Sequence, residues 1–308
     1  MKTTTLPQLQ VFLDVARLRS FSAAARELGV TPSAVSQAVR QLEEQLGVPL
    51  LTRTTRSVSL TDPGRRLVEN AGPALRQTLA ALSEVSAQPG ETVGRLRLTV
   101  PRSAVPYVIT PVLPTFQEQH PRVEVEVVID DRFVDIVEEG FDAGVRLTEA
   151  IERDMIQARL TDAFRFVVVG SPEYLARCGT PERPEDLLRH NCITFRQLST
   201  GTLYAWELER RGRSWRVPVR GNITSNDNPT TAVLAERGMG LAYVVEPMVT
   251  TQLRDGRLVR VLESFAPSVP GYFLYYPSKA QRSSALRLFV EMARELAVRD
   301  LTKVPHGS

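Results

Sequence analysis

The sequence predicts an α+β chain of several domains: an N-terminal winged helix-turn-helix, a long linker helix and a two-lobed α/β module. Three observations carry this. Two short helical patterns meet across a Gly and a Thr-Pro start signal in the first fifty residues. A stripe of apolar residues at alternating steps of three and four runs through 68–85, and beyond residue 94 strand and helix patterns alternate. With 308 residues, 43% hydrophobic and 24% charged, the chain has room for two or three compact domains and the balance of a folded protein.

Leu9, Phe12, Leu13 and Ala16 recur at helical spacing after Leu6-Pro7 and give a first helix with one apolar face. Phe21 to Leu28 is rich in helix formers and stops at Gly29, which suits a left-handed C-terminal cap. Thr31 then offers a capping hydroxyl and Pro32 fills the first helical position, so a third helix starts two or three residues after the second ends. That is the spacing of a helix-turn-helix.

Val35, Val39, Leu42 and Leu46 form one face of the third helix; Ser33, Ser36, Gln37 and Arg40 form the other. Hydroxyls suit phosphates, an amide can pair with adenine, and a guanidinium reaches guanine or phosphate, so this face suits a DNA major groove. Thr31 and Pro32, at its N-terminal tip, join the candidate contacts. Such a face also fits ordinary solvated surface; the tight turn before it and the basic hairpin after it favour the groove. In that hairpin, Leu50 to Leu60, β-prone residues flank a polar turn with Arg53 and Arg56. It reads as a wing whose arginines enter a minor groove or grip phosphate, the alternative being plain surface charge.

From Thr61-Asp62-Pro63 a helix is expected to run to Gln88, ended by Pro89-Gly90. Val68, Ala71, Leu75, Thr78, Leu82 and Val85 have the spacing of a two-stranded coiled-coil seam and predict a homodimer, although the stripe can also pack on its own chain.

Ser20-Phe21-Ser22, Ala24-Ala25, Leu28, Val30-Thr31-Pro32-Ser33-Ala34-Val35-Ser36, Leu42-Glu43, Leu46-Gly47, Leu50, Arg53, Arg56 and Leu60-Thr61 closely resemble the DNA-binding signature of LysR-type transcriptional regulators. The resemblance spans some forty-five residues without a gap. Leu51, where the family most often has Phe, and Pro63 before Gly64 depart from it. It implies a sequence-specific regulator that binds promoter DNA, responds to a small-molecule effector and forms dimers that pair into tetramers, with RNA polymerase as a candidate partner.

After Gly94 come a strand to Val100, a helix to His120, a strand at Val123–Ile129, a helix over Val134–Glu139 and a strand at Ala143–Leu147. A second set holds Phe164–Val169, a helix at Pro172–Arg177, strands around Trp206 and Val217, a helix at Thr230–Arg237 and Gly240–Val245; Tyr272–Tyr276 and a helix from Ser283 to Val298 follow. The residues alone give two α/β lobes. The resemblance implies a periplasmic-binding-protein-like effector domain with a double crossing. The expected division is 1–61 for the DNA-binding domain, 62–90 for the linker helix and hinge, and 91–308 for the effector domain, with lobe I at about 91–167 and 264–308 and lobe II at about 168–263.

Ligands of α/β sheets sit beyond strand carboxyl ends, near helix N-termini. Arg102 and Ser103, Arg146, and Asn226 with Thr230 occupy such positions and could hold a small organic anion. As plain structure, Ser103 and Thr230 are helix caps, Arg102 is a solvent charge and Arg146 pairs internally, with Asp142 the nearest candidate.

The net charge of +3 lies entirely in residues 1–90, which hold ten basic and seven acidic residues against 28 of each thereafter. That is compatible with a polyanion partner. His120, His190 and His306 fall at helix ends, loops and the tail, with no phosphate loop, catalytic triad order or metal spacing, so no enzyme, cofactor or metal is expected. Cys178 and Cys192 read as reduced thiols. No apolar run has the length of a membrane span and the first residues lack a signal core, so a cytoplasmic location is expected and the reading of a secreted solute-binding protein is disfavoured.

Overall fold

A computed structural model describes residues 6–53, 58–85, 92–132, 134–147, 155–278, 283–298 and 301. It opens with α1 (Leu6–Leu18), α2 (Phe21–Leu28) and α3 (Pro32–Leu46). Ser20 caps α2 and Thr31 caps α3, each hydroxyl accepting a backbone N–H three residues on, while Gly29 and Gly47 end these helices in the left-handed conformation. Strands β1 (Leu51–Arg53) and β2 (Val58–Leu60) pair antiparallel with Leu51 opposite Leu60. Phe12, Val15, Ala24, Ala25, Val35, Val39, Leu42 and Leu50 form the head's core.

The linker helix α4 (Asp62–Val85) contains Pro73, which removes one N–H from the helical ladder. Its first turn is wedged against the wing. Thr61 Oγ1 donates to Pro49 O at 2.7 Å and accepts from Gly64 N–H at 3.1 Å. A Cβ on Gly64 would lie 2.1 Å from Leu50 O, so only glycine permits this approach.

The remainder begins with β3 (Gly94–Val100), then a 3-10 turn at Arg102–Ala104 and a π turn at Val105–Ile109 leading into α5 (Thr110–Gln119). Strands β4 (Val123–Ile129), β5 (Ala143–Leu147), β6 (Met155–Arg159) and β7 (Phe164–Gly170) follow, then α6 (Pro172–Cys178). Next come β8 (Thr194–Phe195), β9 (Trp206–Arg210), β10 (Arg213–Val217), β11 (Thr224–Ser225) and α7 (Asn228–Glu236). The chain continues through β12 (Ala242–Val245), α8 (Thr250–Arg254), β13 (Val259–Val261), β14 (Ser268–Val269), β15 (Tyr272–Pro277) and α9 (Ser284–Leu296).

One sheet has the order β4-β3-β5-β15-β6, with β4 and β5 parallel to β3 and β15 antiparallel to β5 and β6. The other is built on β7, which pairs antiparallel with β12, β13 and β14. These are the two lobes. Because β7 lies wholly in the second sheet, the chain crosses before Phe164, not at 167–168, and because β14 also pairs with β7 it returns after Val269, not at 263–264. The two crossings lie side by side: Leu160 N–H donates to Tyr272 O at 2.9 Å and Tyr272 N–H to Thr161 Oγ1 at 2.8 Å. Gly271, at φ 110°, would place a Cβ 2.5 Å from Thr161 O, so the crossing requires its missing side chain.

The helix expected at Val134–Glu139 is instead a run of tight turns at 136–140. Asp135 folds back to accept from Val137 and Glu138 N–H, and Gly140, at φ 71°, ends the segment before a second helical turn forms.

Candidate functional site

The third helix presents the expected polar face, while Leu46, the last residue of the expected apolar stripe, is exposed. Val35, Val39 and Leu42 are buried against α1 and α2, whereas Thr31, Pro32, Ser33, Gln37 and Arg40 are exposed and Ser36 is half-buried. Thr31 Oγ1 accepts from Ala34 N–H at 3.2 Å and lies 2.9 Å from Ser33 Oγ, fixing the helix tip. Glu43, which the sequence offers only as part of a motif, anchors the wing: its Oε1 accepts the N–H groups of Leu50 and Leu51 at 2.8 and 3.1 Å. The backbone of Arg53 ends β1; its side chain, and all of Arg56, lie outside the described residues.

In the effector domain, the end of β3 and the start of α7 meet across the gap between lobes. Arg102 Nε lies 2.9 Å from Asp227 Oδ1, and Arg102 N–H donates to Asp131 Oδ1 at 3.0 Å. Asp227 is the cap of α7, its Oδ2 accepting from Thr230 N–H at 3.0 Å and from Thr230 Oγ1 at 2.6 Å. Ser103 accepts from Tyr272 OH at 2.8 Å. Asn226 is exposed beside Asp227. Of the five residues considered for the effector, Arg102 and Thr230 meet at Asp227 of this junction, Ser103 is bonded within lobe I to Tyr272, and Asn226 is exposed next to Asp227. Arg102 is an interlobe partner, neither a free charge nor a lone ligand donor, and Thr230 is held by the cap without being the cap.

Arg146 requires the larger correction. It is 5% exposed, and its guanidinium donates to the carbonyls of Thr99, Val145, Asp130 and Arg132 and to Thr99 Oγ1. Nε alone has no partner. Burial pulls its pKa down, opposed by Tyr275, Asp130 and Asp131. A guanidinium so engaged with backbone clamps β3, β5 and the 130–132 segment together. The charges that act on Arg146 are those of Tyr275, Asp130 and Asp131, while Asp142 accepts from Arg97 N–H at 2.8 Å.

Residues 6–65 match the family described as bacterial regulatory helix-turn-helix protein, lysR family, and residues 89–298 match the LysR substrate binding domain. The chain belongs to the LysR family of transcriptional regulators. This LysR-type regulator is 38% identical over 291 residues to PgrR of Escherichia coli K12, covering 94% of this chain and 97% of that one. It is 32% identical over 298 residues to CrgA of Neisseria meningitidis serogroup C, covering 96% and 97%. The solved structure of Neisseria meningitidis CrgA aligns with a TM-score of 0.57 at 30% identity, covering 96% of this chain and 99% of that one. Full-length AphB, a Vibrio cholerae virulence activator, shares the fold with a TM-score of 0.64 at 21% identity, covering 95% and 99%. The family consists of regulators that join a helix-turn-helix to an effector-binding domain; it is not a family of enzymes.

In this LysR-type regulator the expected seam on α4 divides. Val68 is 4% exposed and belongs to the head's own core, and Leu75 is 5% exposed within the single chain, so neither has area left to bury against a partner. Ala71 is half-buried, Thr78 is exposed with its hydroxyl donating to Ala74 O, and Leu82 is 61% exposed. The side chain of Val85 lies outside the described residues. Among the described side chains of the stripe, Thr78 and Leu82 face outward. Among the described residues no helix is long and apolar enough to cross a membrane.

Proposed function

We propose that this regulator reads its operator with Ser33, Gln37 and Arg40 on α3, that Thr31, Pro32 and Ser36 set the depth of that helix in the major groove, and that Arg53 and Arg56 of the wing grip the adjoining backbone or minor groove. The observation that carries this is the division of α3 into a buried apolar face and an exposed polar one whose first turn is fixed by the Thr31 cap. The test is binding of the purified chain to the DNA upstream of its own gene, against a scrambled duplex, over a salt series. Sequence-independent binding would refute the reading.

The effector is a small organic anion taken at the lobe junction. What supports this is the setting of the Asp227 carboxylate, which sits among a guanidinium, a hydroxyl and a helix-start N–H. A ligand carboxylate is recognised by the same donors, and would compete with Asp227 for Arg102. Asp131 and Asp227 on either side of Arg102 favour, within that class, an anion that also carries an ammonium group. Calorimetric titration with matched carboxylates, with and without an amino group, tests both statements; a neutral effector refutes them.

The regulator works as a homodimer joined through the C-terminal half of α4, with dimers pairing on DNA, and acts in the cytoplasm, where RNA polymerase is its partner. Exposed Leu82 supports the dimer.

A further inference from the structure

The head is seated on lobe I through charge. Glu27, on α2, accepts from Arg17 NH2 at 2.6 Å and from Arg95 NH1 at 3.3 Å, both at Oε1. Arg95 belongs to β3 of lobe I, and its NH2 reaches Glu126 Oε2 at 2.8 Å, an oxygen that also accepts from Arg97 Nε at 2.7 Å. Asp14 completes the head's side by accepting from Arg17 at 3.0 Å, and Glu124 adds its charge beside Arg95. A second contact, Arg65 to Glu138 at 3.9 Å, flanks a cavity of about 180 Å³ between the wing's root and lobe I.

Arg95 stands at the second residue of β3, and Arg102 follows the strand's far end. Seven residues of extended chain separate them by about 23 Å. Between them Arg97 and Thr99 fix the strand, Arg97 to Glu126 and to the carbonyls of Glu139 and Gly140, Thr99 to Arg146. One braced strand therefore carries a contact to the DNA-binding head at one end and a contact to lobe II at the other.

We propose that lobe I holds the chain's own head through Glu27, and that β3 ties this clasp to the Arg102–Asp227 latch, so that the state of the cleft alters how the head meets DNA. The proposal rests on the reading of the lobe junction as the effector's place, but its test uses no effector, so a failure here and a failure of the anion reading are separate results. Glu27 lies outside the face that reads DNA. Glu27 also ties α2 to α1 through Arg17, so what is particular to the clasp is the bond from Arg95 of lobe I, which Arg95→Gln removes without touching the head. Coupling between sites is a free energy and shows itself as non-additivity.

The experiment uses the full chain on its upstream DNA at fixed salt, as wild type, Glu27→Gln, Asp227→Asn and the double variant. Operator affinity is one readout. The other is the pulsed-EPR distance between nitroxides at Ser22→Cys and Glu118→Cys in a Cys178→Ser background, with labelled chains diluted into unlabelled ones. Asp227→Asn keeps the α7 cap but weakens the latch. With Glu27 present it should change affinity by about two- to fivefold, the range of a single exposed ion pair, and broaden the distance distribution. In the Glu27→Gln background it should do neither. Arg95→Gln, which removes the clasp from the lobe's side, should reproduce Glu27→Gln. Equal effects of Asp227→Asn in both backgrounds, or none in either, overturn the coupling.

Discussion

At the scale of the residue, Gln37 and Arg146 stand for two kinds of polar side chain. Gln37 is exposed on the face of α3 and makes no contact that its own fold requires. Gln37→Ala should therefore leave stability unchanged while costing about 1–3 kcal/mol at the operator and relaxing preference at one base pair. Competition between operator and random duplexes measures this, and equal losses on both would remove Gln37 from base reading. Arg146 is the opposite case. Its removal takes the donors from Thr99 and Val145 in a buried setting and from Asp130 and Arg132 at its part-buried edge, so Arg146→Ala should destabilise the effector domain by about 2–4 kcal/mol in urea unfolding. Lysine should not rescue it, because one ammonium cannot span that set of acceptors. An arginine at a strand end looks the same in a sequence whether it awaits a ligand or is consumed by backbone carbonyls; apart from the adjacent Val145 O, the acceptors lie 14 to 47 residues away. The exposure of Gln37 was legible because helical periodicity is local, whereas the burial of Arg146 was not, because most of its partners are distant in sequence.

At the scale of the element, α4 is tightly specified at one end. With Leu50 O where a Cβ of residue 64 would go, Gly64→Ala must push the linker helix off the wing, and a loss of about 3 kcal/mol or more is expected from such overpacking against backbone. Thermal unfolding of the variant checks this. Further along, Leu82→Asp should weaken self-association in sedimentation analysis with the fold intact, whereas Leu75→Asp should lower stability as well, since Leu75 is already covered by its own chain. An intact dimer in folded Leu82→Asp would place the contact elsewhere. The stripe from Val68 to Val85 was visible as spacing, but spacing cannot say which of its members the chain itself will cover. Caps were read more securely: Gly29, Thr31 and Pro32 ended and began helices where they stood, because each acts on its own backbone or on that of residues a few positions away. The point of crossing between lobes was less legible for the converse reason, for β7 is assigned by strands that follow it by some seventy to a hundred residues.

At the scale of the whole molecule, the charge ladder between head and lobe makes the assembly sensitive to acid. The Glu126 carboxyl is held below its ordinary value of 4.5, first by the hydrogen bond from Arg97 and then by the charges of Arg97 and Arg95, against burial. Burial pushes Glu27 up, but Arg17 and Arg95 outweigh it and its value is also lowered. Asp14 runs the other way, raised by burial despite Arg17. A lowered folded value gives stability that is complete above the unfolded value and lost as pH falls through the folded one. Stability should therefore decline below pH 4.5 with a slope that Glu126→Gln flattens, as followed by urea unfolding across pH. An unchanged slope would show that the ladder adds nothing to acid sensitivity.

The paired crossings between the lobes carry a further consequence. Because the chain leaves lobe I and re-enters it a hydrogen bond apart, at Leu160 and Tyr272, lobe II is topologically an insert with adjoining ends. Such a module can be exchanged as a unit. Half of the lobe junction, Asp227 and Thr230, travels with it, while Arg102, β3 and the seat of the head remain behind. A chimera carrying a relative's lobe II between residues 160 and 272 would therefore inherit part of that relative's ligand preference without altering the parts that face DNA, making this the natural seam along which new specificities can be grafted.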